Sequence, residues 1–114
     1  MYKRQGVDAE TFDLVVKRLN EVPADVEVNR KIQRLMKRRL GALQPDGPIA
    51  WGMGELLAFG SLLHEGHPVR MSGQDCIRGT FSHRHAAVFD QATGRPYFPL
   101  STLAQGEARL EIYT

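Results

Sequence analysis

The stretch "IAWGMGELLAFGSLLHEG", residues 49–66, constrains the fold more than any other part of the chain. It follows the breaker "QPDGP" at 44–48 and ends at Gly66, where a C-cap glycine belongs. Between these marks the pattern predicts a helix from about Met53 to His64. That helix is apolar on most sides and carries Gly54, Ala58, Gly60 and Ser61. Small residues on such a helix call for close burial against a sheet or a second helix. A layered core has to form around it.

The flanking segments supply the layers. "PVRMSG" predicts a short strand directly after the helix, a helix–turn–strand step typical of α/β proteins. "AAVFDQATGRPYFPL" holds two short strand-like runs around "DQATGR" and predicts a hairpin, and "ARLEIYT" alternates as a strand does. Upstream, residues 8–20 place Phe12, Val15, Val16 and Leu19 at helical spacing, with Asp8 as N-cap and Asn20 and Pro23 closing the segment. A second helix over 29–43 has Asn29 as cap and Ile32, Leu35, Met36, Leu40 and Leu43 on one face. The short polar join "NEVPADVEV" makes a helical hairpin of the two. The expected class is α/β, with a helical region over 1–47 and an α/β region over 48–114.

With 114 residues there is room for one small domain. A composition 42% hydrophobic and 25% charged argues against wholesale disorder. One cysteine excludes an intramolecular disulfide framework and suits an intracellular protein. No apolar run approaches the roughly 18 residues of a membrane span. "MYKRQGVDAE" lacks the apolar centre of a signal peptide.

The chemistry concentrates in "SGQDCIRGTFSHRHA", residues 72–86. This stretch leaves a strand at its carboxyl end, where open α/β sheets place their ligands. Gly73 and Gly79 let backbone approach a ligand closely, Gln74 and Asp75 offer hydrogen-bond partners, and Arg78, His83, Arg84 and His85 can meet an anion. His83 and His85, with His64, His67 and Cys76 nearby, invite a metal reading. The spacing of established zinc sites is missing, however, and "HEGH" is one residue short of H-E-x-x-H. No metal site is expected. Cys76 as a nucleophile is set aside too, because a lone cysteine is more often a packed residue. Arg30, Lys31, Arg34, Lys37, Arg38 and Arg39 form a basic face on the second helix. With no interleaved aromatics and a net charge of only +2, that face suits a solvated amphipathic helix better than nucleic-acid binding.

These residues also resemble a known family. "GELLAFGSLL", "VRMSGQD", "RGTFSHRHA" and "DQATGRPYFPL" occur in this order, and the run "VPADVEVNRKIQRLMKRR" precedes them. In this the chain is similar to the thiamine-diphosphate-dependent, decarboxylating component of 2-oxoglutarate dehydrogenase. The resemblance implies a partial thiamin-diphosphate-binding fold, in which 1–47 links two domains and 48–114 begins a transketolase-like pyrimidine-binding domain. It implies oxidative decarboxylation of 2-oxoglutarate and transfer of the succinyl group to the lipoyl domain of dihydrolipoyl succinyltransferase. The cofactors implied are thiamine diphosphate and Mg2+. The parent enzyme is expected to be a homodimer in bacterial cytoplasm or, alternatively, the mitochondrial matrix, with no nucleic-acid or membrane partner.

Cofactor contacts carried over by the motifs are Gln74, Asp75, Phe81, His83 and His85. No catalytic residue is carried over, since the family's pyrimidine-contacting glutamate lies further along and its magnesium motif belongs to an earlier domain. Glu55 is not that acid. Ala50 replaces a usually acidic residue, and Asn29 stands where histidine is common, so no role is carried to it. The chain is therefore expected to be a fragment, inactive alone, with the helix at 53–64 needing a partner surface or driving aggregation. The alternatives are a related 2-oxoadipate-type dehydrogenase and a non-enzymatic module that binds anions or nucleic acid through the basic helix.

Overall fold

A computed structural model describes residues 7–44, 47–79 and 83–113. Among the described residues three α-helices come first: α1 (Ala9–Leu19), α2 (Arg30–Arg39) and α3 (Trp51–His64). After α3 the described residues form four short strands: β1 (Val69–Ser72), β2 (Val88–Phe89), β3 (Pro96–Tyr97) and β4 (Leu110–Tyr113). Two 3-10 helices, Leu40–Leu43 and Pro99–Leu103, fill the gaps.

The helix ends follow the local chemistry. Asp8 caps α1, its carboxylate accepting the Thr11 N–H at 2.8 Å. Asn29 caps α2, accepting the Lys31 N–H at 2.8 Å. At the end of α3 the Gly66 N–H donates to the Leu63 carbonyl and the His67 N–H to the Leu62 carbonyl, with Gly66 at φ +93°. This pair of bonds is a Schellman motif, which needs a left-handed residue at that point. Two boundaries differ from expectation. α2 tightens into the 3-10 turn after Arg39, and α3 begins at Trp51 rather than Met53. The two extra residues of α3 bring Gly52 against the carbonyl of His83, a tertiary contact invisible to local spacing.

β1 and β4 pair in parallel, Val69 opposite Leu110 and Ser72 opposite Tyr113. β2 and β3 form the expected antiparallel hairpin, Val88 opposite Tyr97. Parallel strands with helices packed against them make the chain α/β. β1 alternates as a half-buried strand should: Val69 and Met71 face the core, Arg70 and Ser72 face out. On the outer side Arg70 lies 5.1 Å from the centre of the Tyr113 ring, a cation–π contact across the strand pair.

The core sits where α1, α3, β1 and the Pro99–Leu103 turn converge, and Val15, Val16, Leu63, Leu100 and Leu103 are almost wholly buried there. Gly60 lies at its centre. A Cβ at that position would stand 2.8 Å from Val15 Cγ1 and 3.0 Å from Leu103 Cδ1, so a larger residue would push α1 and the turn away from α3. The two helices expected to form a hairpin do not pack chiefly on each other: α1 spends its apolar face on α3 and this turn, while α2 packs chiefly on its own 3-10 extension.

Burial of α3 is one-sided. Gly52, Met53, Leu56, Gly60, Ser61 and Leu63 face the core, but Ala58 and Leu62 are exposed and Trp51 is 95% exposed. Gly54 has open space around it. The small residues thus divide into two sets, one demanded by packing and one on an uncovered face. No helix among the described residues is long and apolar enough to cross a membrane.

Candidate functional site

The loop at the carboxyl end of β1 folds back on itself. Gly73, at φ +143°, donates its N–H to the Tyr113 carbonyl at 3.0 Å and so extends the β1–β4 pairing by one residue. The chain then turns sharply through Asp75, a non-glycine residue at φ +52°, and the Gly79 N–H closes the turn on the Asp75 carbonyl at 2.8 Å. The return leg is zipped to the outgoing one. Arg84 and His85 donate their N–H groups to the Arg78 carbonyl, and Ala86 donates to the Ile77 carbonyl at 2.7 Å.

Two arginines tie this loop to the helices. Arg84 donates through Nε and Nη2 to the two oxygens of Glu55 on α3, at 2.7 and 3.3 Å, and through Nη1 to the Cys76 carbonyl. This paired contact holds the Glu55 carboxyl below its ordinary range and pushes the Arg84 guanidinium up. Glu55 is accordingly a structural anchor. Arg39, at the end of α2, donates to the His83 carbonyl at 2.9 Å and to the Arg84 carbonyl at 3.3 Å. Burial, with the Arg38 charge beside it, lowers the Arg39 pKa, although a guanidinium remains charged. Cys76 is buried and its thiol lies 3.2 Å from the Tyr113 carbonyl, so it is packed under the strand pair.

The predicted contact residues separate in space. Gln74 is exposed at the tip of the loop. Asp75 accepts two bonds from Arg78, at 2.8 and 3.1 Å. His83 lies flat against Gly79, where a Cβ would fall 2.5 Å from its Cε1 and 2.6 Å from its Nδ1. Gly79 is therefore required twice over, for its φ of +87° and for this contact. His83 lines a cleft of about 370 Å³ with Leu35, Arg39 and Met53. His85, at φ +49°, lines a different cleft of about 320 Å³. That second cleft has an apolar side of Ile32, Ile77, Val88 and Phe89 and a polar side that includes Asn29 and Lys31. Residues 83–85 are not a strand, and the two histidines of the H-x-H pair line different cavities, His83 also bordering a cleft with Trp51 and Glu55. Gln74 and Asp75 line neither. Phe81 lies outside the described residues.

As a place for thiamine diphosphate, the His85 cleft suits a flat ring, being apolar on one side and hydrogen-bonding on the other. The described residues contain no group of three His, Cys, Asp or Glu side chains able to hold a metal ion. Sequence reasoning missed Arg39 and Glu55 as supports of the loop. Arg39 was hidden among five neighbouring basic residues, and Glu55 carried no sign of its partner 29 residues away.

Comparison with known proteins agrees with the residues quoted above. The family model for the transketolase pyrimidine-binding domain matches residues 47–104. A 2-oxoglutarate dehydrogenase E1 component from Shouchella clausii is 38% identical over 110 residues, covering 96% of this chain and 12% of that protein. Proteins of the same name from Brucella ovis and Brucella canis are each 44% identical over 108 residues, covering 95% of this chain and 11% of theirs. The chain thus spans about a ninth to an eighth of the length of the curated relatives it matches. The resemblance first read from "GELLAFGSLL" and "RGTFSHRHA" is borne out, and the chain belongs to the transketolase pyrimidine-binding domain family.

Proposed function

We propose that this chain serves as one wall of the cofactor cleft in a thiamine-diphosphate-dependent 2-oxoglutarate dehydrogenase. The supporting observation is the loop 72–86, a polar, histidine-bearing segment at the carboxyl end of a parallel strand. It belongs to a chain 38–44% identical to proteins of that name over almost its full length. On this reading 1–47 is a helical link and 48–114 is part of the pyrimidine-binding domain. His85, with Ile77 and Val88, takes one side of the aminopyrimidine. His83 stands at the edge of the substrate cleft, and Phe81, outside the described residues, is a cofactor contact only by the family resemblance. Gln74 and Asp75, at the outer turn, meet the cofactor only when a second subunit closes over them.

When bound, thiamine diphosphate supplies an electron sink for the carbanion left by departing CO2. This chain's part is to bind and orient the ring and to keep water from one side of it. The magnesium–diphosphate end and the catalytic acid belong, on this reading, to other parts of a longer homodimeric protein of the bacterial cytoplasm. That protein would pass a succinyl group to a lipoyl domain. The 114 residues alone are then inactive, and calorimetry with thiamine diphosphate and Mg2+ should show no saturable micromolar binding.

A chimera provides the direct test. The matching 108 residues of the Brucella ovis relative are replaced by this chain, and 2-oxoglutarate-dependent CO2 release is followed, with 2-oxoadipate as the competing substrate. The chimera should be active, and His85→Ala within it should lower kcat/KM at least a hundredfold. A folded chimera indifferent to His85→Ala would rule the reading out.

A further inference from the structure

Of the six basic residues on α2, Arg39 behaves differently from the rest. Arg30, Lys31, Arg34, Lys37 and Arg38 are exposed, and among the described residues none of them forms an ion pair. Arg39 is partly buried, and among the described residues it forms no ion pair. Its guanidinium instead takes the carbonyls of two consecutive residues, His83 and Arg84. A desolvated cation is retained only where fixed dipoles replace the lost water. The fork geometry of arginine suits two carbonyls on adjacent peptide units, whereas the point charge of a lysine does not.

A second contact comes from α3. The His83 carbonyl lies so close to Gly52 that a Cβ there would collide with it. Between Arg39 on one side and Gly52 on the other, the carbonyl has one available direction. Arg84 completes the arrangement by reaching Glu55 and the Cys76 carbonyl. The peptide planes after residues 83 and 84 are thereby set by α2 and α3. Those planes decide where the side chains at 83 and 85 emerge.

We propose that Arg39 is a positioning residue for the histidine loop, holding the His83 and Arg84 carbonyls so that His83 and His85 enter separate cavities. This rests on the functional reading above only for what the histidines meet; the positioning itself needs no cofactor. It also gives α2 a role in the adjoining α/β region, because the last residue of the helix orients a loop 44 residues further along.

The test uses the full chain labelled with nitrogen-15 and free of cofactor. Imidazole signals report the tautomer and titration of His83 and His85, and amide exchange reports the His85 and Ala86 N–H groups that zip the loop. Arg39→Met should shift both imidazole signals and speed exchange at His85 and Ala86 at least tenfold, with α1 amides unchanged. Arg39→Lys should restore the signals only in part. Wild-type imidazole signals in Arg39→Met would overturn the proposal. If that variant does not fold, Arg39→Lys decides: displaced signals support the fork, and wild-type signals overturn it. Should the His85→Ala chimera fail its own test while Arg39→Met behaves as expected, the cofactor reading falls and the positioning role stands.

Discussion

At the carboxyl end of α3, Gly60 and Leu63 are enclosed by Val15, Leu100 and Leu103, all of them apolar. At the amino end of the same helix, Gly52 and Glu55 meet the loop through a carbonyl and an ion pair, while Trp51 stands clear of everything. The first end is held by many weak contacts whose sum is large. The second, besides the buried Met53 and Leu56, adds a few directional bonds, each tied to one particular side chain. Damage at the first end should therefore reach the whole fold, and damage at the second should stay in the loop.

The largest expected effect tests the first half of that contrast. Leu63 is fully buried, and Leu63→Ala leaves a cavity among α1, α3 and the Pro99–Leu103 turn. Truncations of this kind cost about 2–5 kcal/mol. Small domains hold roughly 5–15 kcal/mol in total. Cooperative unfolding in urea should move to much lower denaturant or vanish. A loss under about 1 kcal/mol would mean that the apolar end of α3 is not the anchor.

The same contrast explains what was legible beforehand. The apolar end announces itself through spacing: Val15, Val16 and Leu19 on α1, the small residues of α3, and the alternation of β1 are all local patterns. Caps at Asp8 and Asn29 and the terminating Gly66 follow from rules about one turn of chain. The polar end is set by partners 29 and 44 residues apart, and no periodicity connects Arg84 with Glu55 or Arg39 with His83. The motifs located the loop as a site. They did not show that a left-handed His85 would send the two histidines into different cavities, because φ at that residue is imposed by the zipped return leg. Gly54 and Gly60 illustrate the same limit: identical in composition, one is required by packing and the other faces open space.

A smaller effect is expected from Glu55→Gln. The carboxyl is about one-third exposed, at 34%, so solvent screens the pair and the loss should be about 1 kcal/mol rather than the several expected deep in a core. Its pH dependence has a definite sign. Glu55 is depressed in the folded state by its bonds to Arg84, so its contribution is complete above the usual glutamate value of about 4.5 and disappears as pH falls through the lower, folded value. Urea midpoints measured from pH 7 down to pH 3 should converge for the wild type and Glu55→Gln at the acid end. A gap that widens with acid would show that the pair is not what joins α3 to the loop.

The smallest effect on stability belongs to Trp51, which is 95% exposed and makes no enclosing contact. Trp51→Lys should change unfolding free energy by less than about 0.5 kcal/mol, as surface substitutions do. Its effect on association should be larger. Trp51, Ala58 and the 43% exposed Leu62 share one side of α3, Ala58 about two turns after Trp51 and Leu62 one turn further, with Glu55 between the first two; their apolar area is removed from water if two copies meet. Because Trp51 is the sole tryptophan, its fluorescence reports this face directly. Dilute protein should emit as a fully hydrated indole and be quenched freely by iodide. Raising the concentration should shift emission to the blue as the face is covered, and sedimentation should show Trp51→Lys remaining monomeric at concentrations where the wild type associates. Emission that stays red and fully quenchable at high concentration would mean the amino end of α3 is solvated by itself. The contrast between the two ends would then be complete within one copy of the chain.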